Sequence, residues 1–120
     1  MHILLVDDDA DHRQTLGAAL RQRGHGVREV ADGLKALLYL DDAVDLLITD
    51  IEMPGLDGMK LLSTLRERFP ELPVLVMSGQ EGAGGEAAAL REHATAYFAK
   101  PIELGDVLDR VRRVEGGERE

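Results

Sequence analysis

The hydrophobic positions of the chain follow two alternating patterns, short apolar runs and longer stretches in which apolar residues recur every three or four positions. The short runs predict β-strands, and the longer stretches predict helices that pack along one side. Strands are predicted at 2–6, 26–30, 44–49, 72–77 and 96–99, and helices at 11–23, 34–40, 58–68, 87–92 and 104–114.

The strict alternation of strands and helices limits the fold. The first, third and fourth runs are apolar at nearly every position, which is typical of strands covered by helices on both faces. Right-handed crossovers leave few arrangements of such units. The pattern therefore predicts an α/β fold, a doubly wound parallel sheet of five strands flanked by five helices. Asp57 is placed to cap the third of these helices.

The composition fits a single domain. The chain has 120 residues and no cysteine, so it is long enough to bury a core without disulfides. We expect a domain over 1–115, with 116–120 as a flexible tail or the start of a linker. The apolar runs are shorter than a membrane span, and the N-terminus lacks the basic start of a signal peptide. We therefore expect a cytoplasmic protein.

The charge balance argues against direct binding to nucleic acids. The net charge is −9 and aromatic residues make up only 3% of the chain. Phosphate backbones are bound by basic patches, and single-stranded bases by aromatic platforms. The sequence indicates neither kind of surface.

Polar side chains stand at the ends of four predicted strands. They are Asp7, Asp8 and Asp9 after the first strand, Asp50 after the third, Ser78 after the fourth and Lys100 after the fifth. Each has an ordinary explanation alone, as a helix cap, a turn residue or a solvated lysine. Because open parallel sheets bind ligands beyond the carboxyl ends of their strands, the joint placement predicts one shared crevice.

Such a crevice has the parts for phosphoryl chemistry. Crowded carboxylates repel one another and need a cation, and hard oxygen ligands favour Mg²⁺, or Mn²⁺, over zinc. A carboxylate can act as a nucleophile, while an ammonium and a hydroxyl group stabilise charge on the transferred group. The pattern therefore predicts phosphoryl transfer to an aspartate.

Four motifs identify a family resemblance: LLVDDD, LLITDIEMPGLDG, PVLVMSG and YFAKP. The spacings are 42 residues from Asp8 to Asp50, 28 from Asp50 to Ser78 and 22 from Ser78 to Lys100. Over about residues 2–114 the chain resembles the receiver (response-regulator, chemotaxis-Y-like) domain of bacterial two-component systems. The resemblance implies a flavodoxin-like sheet in the order 2-1-3-4-5.

The resemblance also implies a role for each motif position. Asp50 is expected to be the phosphoacceptor, with Lys100 and Ser78 contacting the phosphoryl group. The expected ligands of Mg²⁺ are Asp7, Asp8, Asp50 and the backbone carbonyl of Glu52, with Asp8 the more direct ligand of the acid pair and Asp7 acting largely through water. Asp9 is expected to cap the first helix instead.

A conformational switch is implied as well. In relatives the hydroxyl residue moves towards the phosphoryl group and an aromatic residue on the fifth strand turns inward; here these are Ser78 and Tyr97. The alternative is that Tyr97 is a half-exposed strand residue without such a role. The Lys100–Pro101 bond is expected to be cis, as in relatives.

The implied partner is a sensor histidine kinase or a phosphotransfer protein, which would dock near Arg13 and Gln14 on the first helix. Output would pass through the face of the fourth helix, fifth strand and fifth helix, by way of an output domain, a partner or a homodimer. The residues of this output face are Ala88, Arg91, Tyr97, Asp106, Asp109 and Arg110. Their mixed charges suit salt-bridged dimers or an ordinary solvated surface, and charge alone does not decide.

Two other functions share parts of this pattern. A phosphohydrolase with an aspartyl-phosphate intermediate would use Glu52 as a general acid, although the chain leaves no room for a substrate cap. A degenerate receiver would act only as a protein-binding module, and the intact set of acids, hydroxyl and lysine argues against it. We therefore expect a signalling receiver that assists its own phosphorylation and dephosphorylation, and not an enzyme with a separate substrate.

Overall fold

The computed structural model describes residues 1–53, 58–79 and 94–117. The strands are β1 (His2–Val6), β2 (Gly26–Val30), β3 (Leu46–Asp50), β4 (Val74–Ser78) and β5 (Ala96–Ala99). The helices are α1 (Ala10–Gln22), α2 (Gly33–Tyr39), α3 (Gly58–Arg68) and α4 (Leu104–Glu115), the last being the fifth helix of the sequence prediction. The fourth predicted helix, at 87–92, and the predicted cap Asp57 lie outside the described residues.

The five strands form one parallel sheet in the order β2-β1-β3-β4-β5. This order confirms the predicted doubly wound, flavodoxin-like fold. It places β1 beside β3 at the centre of the sheet, so the chain segments that follow these two strands emerge next to each other. The residues predicted to carry chemistry therefore start from adjacent positions.

The core has two layers, one on each face of the sheet. Along β3, Leu47 packs into the layer that includes residues of α2 and α3. Its neighbours Leu46 and Ile48 pack into the layer that includes residues of α1 and α4. Successive side chains of a strand point to opposite faces, so a strand between two helical layers must be apolar throughout. This explains the continuous apolar runs of the sequence.

Two strands begin later than predicted, β3 at Leu46 instead of 44 and β4 at Val74 instead of 72. Val44 and Leu72 are apolar, but their backbone N–H groups donate to Asp41 and Phe69 in turns, at 3.2 and 3.1 Å. The prediction was wrong at these positions because apolar side chains can pack against the core from a turn.

Local signals set the ends of α1. Asp9 caps its start, with a carboxylate oxygen that accepts from the N–H of His12 at 3.1 Å. Gly24 follows its end with φ +91°, a left-handed conformation that glycine adopts without steric cost. The expectation that Asp9 caps this helix is confirmed.

His25, a buried histidine just before β2, should make the stability of the protein depend on pH. His25 is 8% exposed and its Nδ1 lies 3.0 Å from the N-terminal ammonium. Burial and that neighbouring positive charge lower the pKa of His25. A lowered pKa in the folded state gives stability that is present above the unfolded pKa of about 6.5 and is lost as pH falls through the folded value.

We therefore expect the free energy of unfolding to fall as the pH decreases below about 6.5, and to fall less in His25→Asn. Urea denaturation at a series of pH values measures this. The other histidines are common to both proteins, so equal pH slopes would contradict the assignment.

Candidate functional site

Three carboxylates meet at the carboxyl edge of the central strands. Asp7 and Asp8 follow β1, and Asp50 is the last residue of β3. Each offers a carboxylate oxygen, and these oxygens all lie within 4.8 Å of one another. Asp7 and Asp50 are buried and Asp8 is exposed. The crevice therefore has a closed inner side and a side open to solvent.

Asp50 has both carboxylate oxygens engaged. One accepts a hydrogen bond from the backbone N–H of Glu52 at 2.8 Å, and the other accepts from the ammonium of Lys100 at 2.6 Å. The residue is 1% exposed. A buried carboxylate needs such partners because an unpaired charge in the interior is costly. The pairing fixes the direction in which the carboxylate faces the crevice.

Lys100 reaches Asp50 from the end of β5, two strands away in the sheet. Its backbone N–H donates to the carbonyl of Ser78 at 2.9 Å, and the Lys100–Pro101 bond is cis, as expected. Partial burial acts to lower the pKa of Lys100. The hydrogen bond and charge of Asp50, with the charges of Asp7 and Glu52, outweigh burial and raise the pKa above its ordinary value. The lysine therefore stays charged beside the acids.

Asp7 is held by the first turn of α1. One of its carboxylate oxygens accepts from the N–H of Asp9 at 2.9 Å, and the other contacts Nδ1 of His12. The backbone carbonyl of Asp7 accepts from Arg13 at 2.7 Å. His12 was missed in the sequence analysis. The available signal was its place five residues after Asp7 and three after the helix cap, which puts it on the turn nearest the acids.

The Glu52 side chain links the segments that follow β3 and β4. The last regular bond there joins the N–H of Ile51 to the carbonyl of Met77 at 3.2 Å. One step further, the N–H of Gly79 donates to the Glu52 carboxylate at 2.5 Å. A Cβ atom on residue 79 would lie 3.0 Å from that carboxylate oxygen, so glycine permits this close approach. The structure adds this side-chain role to the ligand role predicted for the Glu52 carbonyl.

Two residues expected to take part in switching lie on neighbouring strands. Ser78 is fully buried at the end of β4 and pairs in register with Ala99. Tyr97, on β5, is half-buried and packs against the core layer that includes residues of α2 and α3. The structure thus places Ser78 beside the crevice and Tyr97 partly inside the fold.

The residues expected to contact partners differ in how free they are. Arg13 is 16% exposed and lies 3.4 Å from Glu29, besides donating to Asp7, whereas Gln14 is exposed. Arg13 therefore has contacts within the chain, Gln14 is exposed, and docking of a partner near these two residues stays a prediction.

On the expected output face, two charged residues already have partners within the chain. Arg110 donates to the carbonyl of Thr95 at 3.0 Å, and Asp109 accepts from Arg112 at 2.6 Å. Asp106 is exposed. Ala88 and Arg91 lie outside the described residues. To join a salt-bridged dimer, Asp109 and Arg110 would have to exchange these contacts for contacts with a second copy, and such a dimer stays a prediction.

The donor set of the crevice fits a small, hard divalent cation. Three carboxylates converge with oxygens close enough to share one ion. Mg²⁺ is bound by one or a few such oxygens and keeps several waters, which suits a site open on the Asp8 side. The ligand atoms that converge are all oxygens, which favours Mg²⁺ or Mn²⁺ over softer metals.

The sheet order and the acid–lysine crevice at its carboxyl edge define a class, the flavodoxin-like α/β proteins with a ligand site where the strand order reverses. Within this class, a comparison with family models identifies one family. The family model for the response regulator receiver domain matches residues 3–112. The chain belongs to this family, and the resemblance inferred from the motifs is confirmed.

Curated relatives are longer proteins. The chain is 39% identical over 112 residues to the response regulator protein FleR of Pseudomonas aeruginosa, covering 92% of this chain and 24% of the relative. It is 36% identical over 113 residues to the response regulator MprA of Mycobacterium avium, covering 93% of this chain and 50% of the relative. The chain thus spans a quarter to a half of these relatives.

Solved structures of receiver domains share the fold over nearly the whole chain. A response regulator receiver protein from Pseudomonas putida superposes with a TM-score of 0.84 at 29% identity, covering 93% of this chain and 95% of that one. The HemR receiver domain from Leptospira biflexa gives a TM-score of 0.83 at 31% identity, with coverages of 94% and 92%. Among the helices that the structure describes, none has the length and apolar character needed to cross a bilayer.

Proposed function

We propose that this domain is a phosphorylation-activated signalling switch that accepts a phosphoryl group on Asp50. One observation carries the proposal: the Asp50 carboxylate is buried in a crevice with Asp7 and Asp8 on one side and the Lys100 ammonium 2.6 Å away. This arrangement combines a nucleophile with groups that offset negative charge, as phosphoryl transfer requires. Membership of the receiver family supports the same role.

The reaction would join an Asp50 carboxylate oxygen to phosphorus as the bond from phosphorus to the donor breaks. The donor keeps the bonding electrons, and Asp50 becomes an acyl phosphate. Lys100, now bound to Asp50, would transfer its hydrogen bond to a phosphoryl oxygen. Ser78 would move to donate its hydroxyl hydrogen to another. Each of these side chains thus contacts the charge that the transfer brings into the crevice.

The proposed divalent cation, Mg²⁺ with Mn²⁺ as a substitute, would be held by Asp7, Asp8, Asp50 and the backbone carbonyl of Glu52. When bound, it supplies positive charge that offsets the carboxylates and the phosphoryl oxygens. The chain's own contribution is to hold the acids. The turn after β1 fixes Asp7, and the N–H of Glu52 with the ammonium of Lys100 fixes Asp50.

The phosphoryl donor would be a sensor histidine kinase or a phosphotransfer protein, docking on the exposed part of α1. Phosphorylation would shift the domain towards an active conformation through Ser78 and Tyr97. The signal would then pass to an output domain or partner through the face that includes β5 and α4. The greater length of the curated relatives supports an output domain elsewhere in the full protein. The switch would operate in the cytoplasm.

The decisive experiment is incubation with acetyl phosphate and MgCl₂, followed by intact-mass measurement. We expect one added phosphoryl group on the wild-type protein and none on Asp50→Ala, because the nucleophile is then missing. Asp42→Ala, which removes an exposed acid remote from the cluster, is the matched control and should be labelled like the wild type. Labelling that persists in Asp50→Ala would overturn the assignment. Turnover of small phosphate esters would favour the phosphohydrolase alternative.

A further inference from the structure

His12 has no role in the phosphoryl chemistry described above, yet its imidazole lies against one of the three clustered acids. Its Nδ1 contacts a carboxylate oxygen of Asp7. Its backbone N–H donates to the side chain of Asp9, whose own N–H donates to the other Asp7 oxygen. The N-cap residue and the first turn of α1 therefore contact both oxygens of the Asp7 carboxylate.

This double contact fixes the plane of the Asp7 carboxylate. Asp7 is fully buried, whereas the His12 side chain is 33% exposed, so the contact joins a buried carboxylate to a partly exposed imidazole. Cation binding requires an ionised Asp7 carboxylate, which only accepts hydrogen bonds, so in that state Nδ1 of His12 would be the donor. Each carboxylate oxygen has a further lone pair, which remains for a cation or a water bound to it. His12 orients Asp7 without using up its ligand capacity.

We propose that His12 is a positioning residue that sets the geometry of the divalent-cation site through Asp7 and so favours Mg²⁺ over larger cations. The inference rests on the cation site of the proposed function. Mg²⁺ demands near-ideal octahedral geometry, whereas Ca²⁺ accepts irregular coordination and longer bonds. A carboxylate held by two donors meets the stricter demand. A carboxylate held by one donor can rotate, which penalises Mg²⁺ more than Ca²⁺.

The competing view is that His12 only helps α1 to begin. The helix start, however, depends on the backbone N–H of His12 and the side chain of Asp9. That bond does not involve the imidazole and would survive any substitution that keeps the backbone. The imidazole contact with Asp7 is a separate interaction, so it can be tested separately.

The test compares two substitutions at His12. Leucine removes the donor and keeps the bulk, whereas asparagine places an amide N–H close to where Nδ1 stands. His12→Ala is a second variant without the donor, with a smaller side chain. His2→Leu is the matched control, because His2 is an exposed histidine at the opposite end of β1.

Cation binding is measured directly, at one fixed pH. Free Mn²⁺ is followed by its electron paramagnetic resonance signal, and Mg²⁺ and Ca²⁺ serve as competitors. We expect His12→Leu and His12→Ala to bind Mg²⁺ at least about tenfold more weakly, the usual effect of losing a group that orients a metal ligand. Their affinity for Ca²⁺ should fall by a smaller factor. His12→Asn should recover most of the Mg²⁺ affinity, and His2→Leu should match the wild type.

Three results would overturn the proposal. Unchanged or tighter Mg²⁺ binding in His12→Leu and His12→Ala would show that the imidazole does not position Asp7 for the cation. Equal losses for Mg²⁺ and Ca²⁺ would point to a general loss of structure. If the wild type binds no cation, or if Asp8→Asn binds cations as well as the wild type does, the proposed cation site is wrong. The inference about His12 is then wrong too. Wild-type binding together with unaffected His12 variants removes the inference alone and leaves the proposed function standing.

Discussion

Replacing Lys100 by methionine is expected to destabilise the protein by about 2–3 kcal/mol when no divalent cation is present. The substitution leaves the 1%-exposed Asp50 carboxylate without the ammonium now 2.6 Å away. Breaking a fully buried ion pair in this way costs roughly 3–5 kcal/mol, and the partial exposure of Lys100 reduces that figure. Mg²⁺ should restore part of the loss, since it supplies positive charge to the same carboxylate.

Urea denaturation with and without MgCl₂ measures this effect. Lys35→Met, an exposed lysine on α2, is the control and should change stability by less than about 0.5 kcal/mol. The double variant Lys100→Met/Asp50→Asn should regain much of the lost stability, because the unpaired charge is gone. Additive losses in the double variant would show that the two side chains are not coupled.

Asp8→Asn is expected to act in opposite directions with and without cation. Without it, the variant should be slightly more stable than the wild type, because it removes one of three mutually repelling carboxylates whose oxygens lie within 4.8 Å. With Mg²⁺ at about a hundred times its dissociation constant, the wild type should gain roughly 2.7 kcal/mol of stability and the variant little of it. The curves of stability against cation concentration should therefore cross.

Thermal denaturation over a series of MgCl₂ concentrations tests this crossing. Asp11→Asn, an exposed acid in the first turn of α1 that is not part of the cluster, is the matched control. It should keep the wild-type response to Mg²⁺. An equal gain in Asp8→Asn and the wild type would exclude Asp8 as a ligand.

The pattern of hydrophobic positions predicted the bounds of several strands and of one helix correctly. Three strands, β1, β2 and β5, have the predicted bounds, and α3 spans the predicted residues. The errors at the starts of β3 and β4 arose because an apolar side chain signals burial and says nothing about its backbone partner. In α2 the same limitation applies to exposure: Leu34 and Leu38 belong to the predicted helix but are 64% and 81% exposed.

The candidate site was predictable in its residues and less so in its contacts. The acids, the serine and the lysine stand at or just after the carboxyl ends of four strands, and the rule for parallel sheets brings such ends together. The bond from Gly79 to Glu52 joins residues 27 positions apart, which no local pattern encodes. For the contact between His12 and Asp7, helix spacing places the residue near the acids but does not give its side-chain direction. The bond from Arg13 to the Asp7 carbonyl was likewise not predicted from the sequence, and docking of a partner near Arg13 stays a prediction.

The sequence by itself determined the alternation of strands and helices, the family and the residues that gather at the carboxyl edge. These features depend on local periodicity and on the identity of short motifs. Only the tertiary structure decided which distant donors hold the Asp50 and Glu52 carboxylates, because those contacts join β3 to β5 and β3 to β4. Hydrogen bonds act over about 3 Å, so they are fixed only when the whole sheet has placed its strand ends.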